Sequence, residues 1–80
     1  MSWNQAKAST WMKRYADDLA SDAYKEGGEI EWMYAAAGAA YYGVIHGIGY
    51  NTEKEFRQFL KNHIKLSDVF IDEAVEEIVK

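Results

Sequence analysis

Two histidines, thirteen carboxylates and four serines are the groups in this 80-residue chain that could be poised for chemistry. Their spacing points away from catalysis. His46 and His63 each sit among apolar residues on predicted helices, and neither has a Glu or His three or four positions away to place two metal ligands on one helical face. A partly buried histidine with one hydrogen-bond partner is the plain reading of each. Ser-His-acid triads assemble in space, yet Ser2, Ser9, Ser21 and Ser67 all fall near predicted helix starts or on polar faces. Gly27-Gly28 lacks the Lys-Ser/Thr of a phosphate-cradling loop, and Asp68 to Glu77 lacks the loop spacing and central glycine of a helix–loop–helix calcium site. No enzyme, metal or cofactor is expected.

Binding groups are better represented. Asp72, Glu73 and Glu76 fall together on the outer face of a predicted last helix, with Asp68 and Glu77 at its edges. Such a row can meet a basic groove on another protein, imitate nucleic-acid phosphates and raise the on-rate by steering; a merely solvated face would carry the same residues. Just upstream, Lys54, Arg57, Lys61 and Lys65 recur at i, i+3, i+7 and i+11. That basic row could contact phosphates with strong salt dependence. It lacks a base-reading cluster, and pairing with the adjacent acidic helix is the simpler expectation.

Aromatic residues make up 15% of the chain. Trp3, Trp11, Trp32, Tyr24, Tyr42 and Tyr50 lie off the predicted core stripes or at element ends. Trp3 and Trp11 share a flank of the first helix with Tyr15, and that flank could dock a partner or a second copy, because exposed Trp and Tyr are favoured interface anchors.

These groups must be positioned by helices. The chain has no proline and no cysteine, which suits a helical domain and excludes disulfides. The first helix is expected over 3–25, opened by a Ser2/Gln5 capping box and ended by Gly27-Gly28. Its apolar stripe is Ala8, Met12, Tyr15, Leu19 and Ala23, with Lys13–Asp17 and Arg14–Asp18 pairs outside. Glu29 and Glu31 favour the start of a second helix. From Trp32 to Tyr50 that helix carries no Asp, Glu, Lys or Arg, so it is expected to be central and buried on every side over about 29–49. A small row, Ala36, Ala40, Gly43 and Gly47, would admit a neighbour closely, while Tyr34, Tyr41, Ile45 and Ile48 would fill the core. Its length approaches a membrane span, but Ala and Gly dominate and Tyr41, Tyr42 and His46 fall at mid-depth, which favours a core helix. Thr52 and Glu55 form a second capping box opening helix three, whose apolar face is Phe56, Phe59, Leu60, His63 and Ile64. Ser67 caps helix four, with a Leu66–Ile71 staple and Ile71, Ala74, Val75 and Ile78 pointing inward.

The expectation is a single all-α domain over 1–80, a compact four-helix fold. The formal net charge of −4 suits solubility and disfavours non-specific binding to nucleic acid or anionic membrane. Absence of cysteine, and of a basic-then-apolar leader in MSWNQAKAST, favours a reducing, cytoplasmic setting. In length, acidity and lack of catalytic groups the chain resembles the small inhibitors that phages and mobile elements use against host enzymes, anti-CRISPR proteins among them. The likeness is one of composition and carries no residue over. It implies a non-catalytic protein-binding module that occludes a basic surface of a host protein. The alternatives are a small nucleic-acid-binding domain using helix three, and a homodimer or larger assembly formed through the Trp3/Trp11 flank or the small row of helix two.

Overall fold

The computed structural model describes residues 2–25, 27 and 31–80. Among them are four α-helices and no strand: α1 (Gln5–Lys25), α2 (Glu31–His46), α3 (Glu53–Asn62) and α4 (Asp68–Val79). The all-α four-helix expectation is met.

α1 starts later than its sequence implies. Asn4 is the cap, accepting from the Lys7 N–H at 2.9 Å through its side chain and from the Ala8 N–H at 3.0 Å through its carbonyl. The Ser2/Gln5 box does not form because Gln5 and the intervening Trp3 are engaged across the fold. Trp3 donates its indole N–H to the Tyr50 carbonyl at 2.7 Å, which holds the leading segment off the helix axis. Gln5 reaches Asn51 instead, donating to its carbonyl at 3.2 Å. At the far end Gly27, with φ 99°, closes a turn onto the Tyr24 carbonyl; Gly28 and Glu29 lie outside the described residues.

α1 and α2 form the main helix pair, running antiparallel with Met12 against Gly43 and Asp17 against Tyr41. The small row is what lets them approach. Ala8, Met12 and Ala16 from α1 and Ala36, Ala37 and Ala40 from α2 are all buried. Gly43 is buried too, and a Cβ added there would lie 2.7 Å from the Met12 methyl and 2.9 Å from the Ile48 carbonyl.

Gly47, the last member of that row, has a different role. With φ 72° it leaves the helix left-handed, and the Ile48 N–H turns back to the Gly43 carbonyl at 2.9 Å. This is the six-to-one bond of a glycine-terminated helix. It ends α2 at His46 rather than near residue 49.

The larger correction concerns the other side of α2. Tyr34, Ile45 and Ile48, expected to fill the core, are exposed, and Tyr41 is only half-buried. The core instead gathers on the opposite side, where Phe56, Phe59, Leu60 and Ile64 from the α3 segment and Ile71, Ala74, Val75 and Ile78 from α4 join the α1–α2 seam. Two helices of 10 and 12 residues cannot wrap a third from all directions, and they pack together and onto α1. α2 is therefore covered on one face only.

The caps of α3 and α4 form as read. Thr52 accepts from the Glu55 N–H at 3.1 Å and Ser67 from the Phe70 N–H at 3.3 Å. Leu66 and Ile71 both turn inward, Ile71 fully. Glu55, however, does not reach back to Thr52. Its carboxylate accepts from the backbone N–H of Gly49 at 2.9 Å and of Asn51 at 3.0 Å, and from the Asn51 side-chain amide at 3.0 Å. It clasps the α2–α3 turn. The Asn51 bonds lead in holding its pKa below the usual carboxylate range, as donors aimed at a carboxylate stabilise its charged form.

Candidate functional site

The acidic and basic rows are brought together and largely answer one another. Arg57 donates to Asp72 at 2.6 Å and to Glu53 at 3.0 Å, and Lys61 meets Asp68 at 3.2 Å. Asp72 first, then Glu53, raises the Arg57 pKa. α3 ends at Asn62, so Lys65 falls in the α3–α4 connection with φ 66° and does not extend the helical row. Lys54 lies exposed on α3. The row is thus broken as a phosphate-binding track. On α4 the outward carboxylates left outside these pairs are Glu73, Glu76 and Glu77, all exposed.

The Trp3/Trp11/Tyr15 flank is turned inward. Trp3 and Trp11 pack on Phe56 with ring centroids 5.3 and 5.5 Å apart, and Trp11 stacks on Tyr15 at 5.2 Å. Phe70 of α4 closes against Trp11 and Tyr15 at 6.3 and 6.2 Å. These contacts, each in the range where aromatic pairs attract, join α1, α3 and α4, so the flank serves as core edge. The small row of α2 is likewise occupied, by α1. On the outer face of α1, Lys13 approaches Asp17 at 3.9 Å, while Asp17 also accepts from the Tyr41 hydroxyl, which raises the Tyr41 pKa. Arg14 and Asp18 form no ion pair among the described residues.

Both histidines are exposed, against the partly buried reading. His63 caps the end of α3, its backbone N–H donating to the Phe59 carbonyl. His46 ends α2 with its ring 4.1 Å from that of Tyr42. Among the described residues no three His, Asp or Glu side chains gather as a metal site, and no helix is long and apolar enough to cross a membrane. The clefts are shallow. One of about 110 Å³ lies between Trp11 and Glu77, and one of about 240 Å³ between Ile48 and His63; ligand sites typically run to roughly 300–1,000 Å³.

What the fold leaves conspicuous is the outer face of α2. Ile45 is 75% exposed, Trp32 65% and Tyr42 55%, with Tyr34 and Ile48 also open. Between Glu31 and Glu53 no Asp, Glu, Lys or Arg interrupts this surface. Large apolar side chains left open along one helix make this face the candidate interaction surface. Its signal in the sequence is the placement of Trp32 and Tyr42 off the core stripes; Ile45 and Tyr34 were hidden by being read as core.

The chain matches no known protein-family model, no curated protein and no solved structure.

Proposed function

We propose that the protein is a binding module that docks another protein through the outer face of α2. The observation that carries this reading is the outer face of α2, free of charge beyond Glu31 and bearing Trp32, Tyr42 and Ile45 in water. Keeping three such side chains exposed gives up burial worth about 1.5–3 kcal/mol each, which a partner would recover. The inhibitor reading through α4 retains Glu73, Glu76 and Glu77 as a source of attraction toward a basic partner. Asp68 and Asp72 are engaged within the chain, so the apolar face is the better-supported contact.

A photo-crosslinking residue placed at position 45 in expressing cells tests this. A protein adduct is expected at 45, absent when the same residue replaces the exposed Ser21 on α1 and lost when Trp32→Glu is added. Equal labelling from both positions, or none from 45, removes α2 from the account.

A further inference from the structure

We infer that the occupant of the α2 face is the α2 face of a second copy, crossed antiparallel at Gly38; this rests on the docking reading above. Gly38 is the first reason. A mid-helix glycine costs about 1 kcal/mol against alanine, a cost that close approach of another backbone can offset. Gly43 meets that condition inside the fold. Gly38 does not: it is exposed, and a Cβ built on it meets nothing within 4 Å. Its missing side chain has no use within one chain, and has one if a second helix lies across it.

The second reason is symmetry. The outward stripe of α2 reads Glu31, Ala35, Gly38, Tyr42, His46. Glu31 and His46 are equally distant from the Gly38–Ala39 peptide, and so are Ala35 and Tyr42. An isologous interface requires that the same patch complement itself under a two-fold axis. With the axis at the Gly38–Ala39 peptide, each Tyr42 ring enters the gap over the partner's Ala35, and each Glu31 carboxylate comes opposite the partner's His46, which can donate to it. Large meets small and acceptor meets donor. Trp32 and Ile45 flank the seam.

Charge selects the same face. The molecule carries −4, so copies repel through most of their surface, and α4 would set carboxylates against carboxylates. The α2 face holds one acid and one histidine, placed to meet. The area sets the strength. Trp32, Tyr34, Tyr42 and Ile45 offer on the order of 500 Å² of exposed side chain per copy, under the roughly 800 Å² per partner of a standard interface. An interface this small belongs with the weak, concentration-dependent ones.

Sedimentation equilibrium from low micromolar to millimolar concentration should show the mass rising from 9.2 kDa toward twice that value. Ile45→Glu and Gly38→Leu should each weaken the association at least tenfold while circular dichroism of the dilute protein stays that of the wild type. Since the chain has no cysteine, Gly38→Cys gives a second readout: mild oxidation should yield the covalent dimer much faster than Ser21→Cys does. A wild type that stays at 9.2 kDa throughout, with Gly38→Cys oxidising no faster than Ser21→Cys, overturns the inference. If the crosslinker at position 45 then still captures a different chain, the docking reading stands and only the second copy is wrong. If it captures nothing, both fall.

Discussion

A single hydrogen in place of a methyl group sets how closely α1 and α2 lie. At Gly43 an added Cβ would stand 2.7 Å from Met12, 2.9 Å from the Ile48 carbonyl and 3.0 Å from Phe59. Met12 could bend away, but a carbonyl belonging to the helix-ending turn cannot. Gly43→Ala should therefore destabilise the protein by roughly 1–3 kcal/mol through overpacking, read as a lower urea midpoint at unchanged slope. Glu55 acts at the same scale. Because its folded pKa is lowered, its contribution is fully present above the ordinary carboxylate range, about 4.3, and is lost as pH falls through the folded value. Wild type should thus lose more stability than Glu55→Gln between pH 6 and pH 3, with thermal melts at both pH values as the measure. Parallel losses in the two proteins would show that the clasp is not the acid-sensitive element.

At the level of elements, local signals were legible and enclosure was not. Thr52 and Ser67 cap helices because a hydroxyl three residues before a free N–H reaches it whatever the rest of the chain does. Ile71, Ala74, Val75 and Ile78 were readable as one face because charged residues occupy the other. α2 offers no such contrast. A helix apolar all round has no period to say which side is inside, and whether it is wrapped depends on the reach of other helices. Gly47 misled for a related reason, since a glycine in an Ala-rich run fits the helix until the chain turns. The α3–α4 connection holds a further locally determined feature: Lys65 adopts φ 66°, which costs a side-chain-bearing residue about 1–2 kcal/mol, whereas glycine takes it freely. Lys65→Gly loses some of that gain to the greater freedom of the unfolded chain, leaving a net stabilisation of about 0.5 kcal/mol. A higher chemical-denaturation midpoint would record it; a drop would mean that the Lys65 side chain contributes more than its strain costs.

Over the whole molecule the extents are 41 × 26 × 20 Å and the radius of gyration is 12.2 Å, somewhat above the roughly 11.6 Å expected for a compact chain of this length. The shape follows from the α1–α2 hairpin, with α3 and α4 gathered against α1. Of the three largest side chains fully buried in its core, Phe56, Met12 and Leu60, one is a flexible thioether. Met12 is fully buried, its methyl 2.7 Å from where a Cβ on Gly43 would stand, while Met33 is half-buried on α2. That contrast turns the thioether into a clock for opening. Sulfoxide formation adds a polar oxygen that the seam around Met12 cannot accept, so peroxide can modify Met12 only in molecules whose helices have parted. Met33 should be oxidised roughly a hundredfold faster or more, as expected when one site waits on opening of the core and the other does not. Mass spectrometry of a peroxide time course separates the two. Once Met12 has reacted, closing the helices again should carry the cost of burying that oxygen, so oxidation of one atom holds the core open until the sulfoxide is reduced.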